Sequence, residues 1–106
     1  MRAEKLQTGV KSGEHRLPLR ASGLVEYGVD GQLILCEPSV EQVHFLNATA
    51  AAIWLLCDGR HTEADIAAEL AAIFNREVPG VESDVRETLA DFLRKGLLRA
   101  PPGYDA

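Results

Sequence analysis

Two cysteines, three histidines and no apolar run approaching the roughly 20 residues of a membrane span are the sparse features of this chain. Cys36 and Cys57 stand alone, outside any CxxC or Cys/His ligand spacing, and read as small buried hydrophobes in a reducing compartment. His15, His44 and His61 share no helical or hairpin ligand spacing, which leaves no basis for a zinc site. GxSxG, Walker and GxGxxG patterns are absent. Carboxylates are plentiful, but Glu63, Asp65 and Glu69 read as a solvated face and helix-start charges, not an acid/base pair. No catalytic residue, metal ligand or cofactor site is predicted. The N-terminus lacks the apolar core of a signal peptide, and the reading is a cytoplasmic, non-membrane protein.

Positive charge is also short. The 106 residues carry a net charge of −5, with +3 in residues 1–20 and −8 in the remainder. Affinity for nucleic acid rests largely on Lys and Arg releasing counterions from phosphates, so an acidic body argues against that partner. The length fits one small domain, and the 46% hydrophobic and 25% charged residues fit a globular one.

Residues 1–22 show no sustained periodicity and are expected to form a flexible arm; residues 99–106 are expected to form a tail. Between them, 23–98 read as the folded domain. Gly23 to Tyr27 is the first strand candidate, ended by Gly28 and followed by the Asp30-Gly31 pair, a strong hairpin signal. Gln32 to Cys36 is the second, closed by Pro38 and Ser39. Glu41 to Leu46 is the third, with polar and apolar residues alternating.

Asn47 is placed to cap a first helix over Ala48 to Leu56, with Ile53, Trp54 and Leu56 on or near one face and Gly59 past its end. Thr62 and Asp65 form a capping box for a second helix, Glu63 to Phe74, with Ile66, Leu70, Ile73 and Phe74 expected to pack. Pro79-Gly80 is expected to break the chain before a third helix, Ser83 to Lys95. Val85, Leu89, Phe92 and Leu93 make the apolar stripe of that helix, and Gly96-Leu97 its Schellman stop. The fold class is α+β: a three-stranded antiparallel sheet followed by three helices, winged-helix-like.

With no chemistry in view, binding remains. If the third strand is an edge, its backbone from Gln42 to Leu46 can accept an extended peptide as an added strand. The third helix could form the other wall, with Val85 and Leu89 as apolar floor and Asp84, Thr88 and Asp91 as a polar, negatively charged rim; Val85 and Leu89 could equally be core. Two other readings stay open. One is a winged-helix DNA-binding regulator, opposed by a third helix of net charge −1; the other is a homodimeric adaptor whose open edge pairs with a second copy.

The run Phe45-Leu46-Asn47-Ala48-Thr49-Ala50, then Ile53-Trp54, Leu56-Cys57-Asp58-Gly59 and Thr62, with Asp84-Val85 and Gly96-Leu97-Leu98 further on, resembles the PqqD family. The resemblance covers about residues 23–98. It implies a stand-alone recognition element for ribosomally made, post-translationally modified peptides. Such a domain takes the leader of a precursor peptide as a strand beside the third strand, packs it against the third helix, and presents it to a modifying enzyme, often a radical-SAM maturase. The implied contact residues are Val43, His44, Phe45 and Leu46 on the strand and Asp84, Val85, Thr88 and Leu89 on the helix. Asn47, Thr49, Asp58 and Gly59 match the motif as caps, packing and a turn. The product class stays open.

Overall fold

A computed structural model describes residues 17–99. Three antiparallel strands, β1 (Val25–Val29), β2 (Gln32–Glu37) and β3 (Gln42–Leu46), precede three helices, α1 (Ala48–Leu55), α2 (Glu63–Phe74) and α3 (Val78–Arg94). The α+β, winged-helix-like order expected from the sequence is met. Among the described residues, strand order β1-β2-β3 leaves β3 at an edge.

The hairpin is set by its turn. Asp30 and Gly31 both take positive φ, 51° and 79°, as a two-residue type I′ connection requires. Because that turn needs only two residues, Gly28 does not end β1 as expected; it stays in the strand opposite Leu33. The strand begins two residues late, since Gly23 has φ 84°, outside strand geometry. A 3-10 turn at Pro38–Val40 joins β2 to β3.

Each helix opens on a local signal. The Asn47 side chain accepts from the Ala50 N–H at 2.9 Å. Thr62 and Asp65 exchange both bonds of a capping box at 3.0 Å. The break expected at Pro79-Gly80 is a start: α3 begins at Val78, with Pro79 in its first turn, where the missing N–H has no helical partner to lose. The helix stops as a Schellman motif, with Leu97 N–H donating to Phe92 O at 2.9 Å and Gly96 N–H to Leu93 O at 3.1 Å.

The core lies between the inner face of the sheet and the helices. Trp54, Ile53, Leu35, Ile66, Leu70, Phe92 and Leu97 are its largest buried side chains. The Trp54 indole N–H donates to Leu97 O at 3.3 Å, so its one polar atom is satisfied inside the core. Ile73 and Phe74, expected to pack, are exposed. Ile73 sits a quarter-turn off the centre of the buried Ile66–Ala67–Leu70–Ala71 stripe, and Phe74 lies in the last half-turn. The packed stripe is therefore one turn shorter than the apolar spacing suggests.

The arm expected over 1–22 is tied down at its C-terminal end. Gly59 N–H donates to Pro18 O, Arg20 N–H to Cys57 O, Ala21 N–H to Leu97 O and Arg99 N–H to Leu19 O, all at 2.8–3.0 Å. Arg20 also donates to Leu55 O at 2.7 Å and lies 5.4 Å from the Trp54 ring centroid, capping the end of α1. The rest of that arm and of the tail, 1–16 and 100–106, lies outside the described residues. Among the described residues no helix is long and apolar enough to cross a membrane.

Candidate functional site

Edge position matters because an edge strand turns half of its backbone groups outward. Which half follows from the register. In a two-residue hairpin the residues flanking the turn, Val29 and Gln32, form a hydrogen-bonded pair, so Gln32, Ile34 and Cys36 direct N–H and C=O toward β1. Leu33, Leu35 and Glu37 then face β3, opposite Leu46, His44 and Gln42. On β3 that leaves Val43 and Phe45 with N–H and C=O aimed at the open edge. Their side chains are 52% and 77% exposed.

Beside this edge runs a cleft of about 500 Å3, with Phe45, Leu46, Asn47 and Ala50 on one side and Glu87, Thr88 and Asp91 of α3, with its C-cap Lys95, on the other. α3 packs on α2 and α1, not along β3, which keeps the cleft open. Successive helical residues are rotated by about 100°. The residues Val81, Val85, Leu89 and Phe92 therefore form one face of α3, and Thr88, Asp91 and Lys95 another, roughly a quarter-turn away.

That rotation corrects the expected site. Val85 is fully buried and Leu89 nearly so; both belong to the core and neither floors the cleft. Of the strand and helix residues singled out in the sequence for the groove, Phe45, Leu46, Thr88 and Asp91 line the cleft. Val43 lies farther along the same edge. His44 turns to the inner side, where its Nε2 meets Glu37 Oε1 at 2.7 Å. Asp84 continues the Thr88–Asp91–Lys95 stripe one turn earlier and pairs with Arg76 at 3.1 Å. The walls that sequence reasoning did not assign, Asn47, Ala50, Glu87 and Lys95, carry a signal only once the core face of α3 is fixed.

The helix wall is electrostatically balanced. Asp91 bonds Lys95 at 2.9 Å and Arg94 at 3.0 Å, and the Lys95 ammonium above all holds its carboxyl below the usual carboxylate range. Glu87 and Asp91 thus face Arg94 and Lys95. Elsewhere, burial pushes the Cys57 thiol up to about 12, against the opposing pull of Arg20, which leaves it a structural side chain with little thiolate. Nothing gathered in the cleft resembles a nucleophile with its base. An apolar mouth, an unpaired strand edge and a polar helix wall suit an extended chain laid along β3.

Known proteins share the sequence pattern and the fold. Residues 32–98 match the family model described as coenzyme PQQ synthesis protein D, PqqD. A PqqA binding protein of Methylococcus capsulatus strain Bath is 44% identical over 59 residues, 56% of this chain and 61% of that protein. The chain thus spans under two thirds of that relative's length. TbiB1, solved in complex with the TbiA(β) leader peptide, superposes with a TM-score of 0.68 at 24% identity, over 83% of this chain and 99% of that one. The PqqD truncation of Methylobacterium extorquens PqqCD, described as a stand-alone recognition element, gives 0.66 at 23% identity over 85% and 96%. At such identities the two structures speak for the fold. The family model takes in β2, β3 and all three helices, well over half of the chain, and on that span the chain belongs to the PqqD family.

Proposed function

We propose that this protein is a non-catalytic peptide-binding chaperone, which captures the leader of a ribosomally synthesised precursor along β3 and presents it to a modifying enzyme. One observation carries this reading: the outward N–H and C=O groups of Val43 and Phe45 lie on the same edge as the cleft against α3. Strand addition satisfies those groups while alternate peptide side chains enter the cleft. The relative described as a PqqA binding protein supports a small precursor peptide as ligand class, and the TbiB1 complex supports a leader as the bound part. A radical-SAM maturase is the enzyme class the family resemblance implies. A DNA-reading role has no support: α3 carries Glu82, Asp84, Glu87 and Asp91 against Arg86 and Arg94.

Fluorescence polarisation of labelled leader peptides, PqqA-like ones first and then those encoded beside this chain, tests the reading. Saturable binding is expected, weakened by Thr88→Arg, which fills the cleft from a partly exposed position. Thr88 is the informative site because an arginine at Val85 or Leu89 would disrupt the core instead. Undiminished affinity in a folded Thr88→Arg protein would remove the cleft from the binding site.

A further inference from the structure

We propose that Arg20 is a positioning residue for the peptide site: through the strap it fixes the spacing of α1 against the C-terminal end of α3, the two helical walls of the cleft. The proposal rests on the leader-binding reading above.

An extended segment turns alternate backbone groups to opposite sides. Pro18 O and Arg20 N–H bond Gly59 and Cys57, just past α1, while Leu19 O and Ala21 N–H bond Arg99 and Leu97, just past α3. The strap is thus a central strand between two segments, with Leu19 bridged to Asp58 and Arg20 to Leu98. Leu97 O accepts twice, from Ala21 N–H at 3.0 Å and from the Trp54 indole at 3.3 Å, and so closes the junction of α1 with α3.

Charge explains why an arginine stands here. Both helices end at this junction, each presenting carbonyls at the negative end of its dipole. α3 carries Arg94 in its last turn and Lys95 at its C-cap, whereas α1 has no basic residue in its last turn. No Lys or Arg occurs between Arg20 and Arg60, so α1 has no cation of its own. Arg20 supplies it across the fold. Its Nη1 donates to Leu55 O at 2.7 Å and to Trp54 O at 3.4 Å, and the guanidinium lies 5.4 Å from the Trp54 ring centroid.

The route from junction to cleft is short. α1 is one eight-residue helix, about 12 Å long, with Asn47 and Ala50 at the cleft and Leu55 at the junction. On the other wall, Lys95 stands two residues before Leu97. A shift of α1 against α3 at the junction therefore changes the width of the cleft.

The test follows a labelled PqqA-like leader peptide by fluorescence polarisation and the cleft by NMR, both in the full chain. Arg20→Ala should weaken leader binding by about fivefold or more, under conditions where urea unfolding shows the variant folded. In the free variant the amide signals of Thr88, Asp91 and Lys95 should shift, which a loss of stability alone does not produce. Arg20→Lys should recover most of the affinity, since one nitrogen makes both carbonyl bonds and an ammonium can replace it. Ile66→Val, a buried change in α2 that lines neither cleft nor strap, lowers stability and should leave affinity within about twofold. Unchanged affinity in a folded Arg20→Ala protein would overturn the proposal. So would an equal loss in Ile66→Val, a lysine no better than alanine, or cleft amides that stay in place. If the unmodified protein binds no leader, the leader reading fails, and the amide shifts alone decide whether Arg20 positions the cleft.

Discussion

On the inner face of the sheet Leu33, Leu35 and Leu46 are buried against the helices, while on the outer face Tyr27, Val43 and Phe45 stand in solvent. The side chains are of similar type, so apolarity alone does not say which face is core. In a sheet with one polar face, a one-residue slip would move the apolar set into water, and pattern alone fixes register. Here both faces carry large apolar side chains, and pattern gives little protection against a slip. The type I′ turn at Asp30-Gly31 fixes the register of β1 on β2 instead, and through it decides which residues of β3 offer their backbone to a ligand.

Substitutions at neighbouring positions of opposite face sharpen that contrast, and the largest effect should come from the inner one. Leu35→Ala empties a fully buried position and should cost about 3 kcal/mol in urea unfolding, within the usual range for buried leucine. Tyr27→Ala, on the outer face, should cost roughly 0.5 kcal/mol or less by the same measurement. Similar losses at both would mean that the outer face is covered in the free protein.

Proline separates the two halves of the β3 backbone. His44 N–H faces Leu35 of β2, so His44→Pro removes a ladder bond and should lower the melting temperature by several degrees. Phe45→Pro deletes an outward N–H; the protein should melt close to its original temperature and lose leader binding by about tenfold or more in fluorescence polarisation. If the two variants exchanged these outcomes, the peptide edge would be made by His44 and its alternates.

Much of the fold was legible because its signals are local. Asp30-Gly31, the Asn47 cap, the Thr62/Asp65 capping box and the Gly96-Leu97 stop each act within a few residues and can be read there. The start of α3 was not, because Pro79-Gly80 suits a turn as well as a first helical turn, and the choice belongs to tertiary packing. The strap at Pro18–Ala21 was also hidden: its backbone partners, Cys57, Gly59, Leu97 and Arg99, are distant in sequence, and backbone bonds leave no mark on residue type. The edge at β3 followed from strand order. The helix wall failed at Val85 and Leu89, because an apolar stripe fits a core and a groove floor equally well. Only the rotation of α3 about its axis distinguishes them, and that is set by α1 and α2.

The smallest effect should leave both sheet faces untouched. In the α1–α2 turn, Asp58 Oδ1 accepts from Arg60 N–H and meets His61 Nδ1, both at 2.9 Å. The His61 bond, aided by the Arg60 N–H, draws the Asp58 carboxyl down to about 2 from 3.8, and the same carboxylate raises His61 above 6.5. A depressed carboxylate contributes stability fully above 3.8, lost as pH falls toward 2; a raised imidazole contributes fully below 6.5, lost as pH climbs through its raised value. The pair is therefore most stabilising between these limits. Asp58→Asn keeps an acceptor for Arg60 and removes the charge, so the imidazole titration followed by NMR should move down toward 6.5. The dependence of melting temperature on pH should flatten on the neutral side. On the acid side part of the slope should survive, because Thr62 N–H and Lys95 still hold Asp65 and Asp91 low. Leader affinity at a fixed neutral pH should not change, since this turn lines neither the cleft nor the outer face; a change would tie the turn to the peptide site.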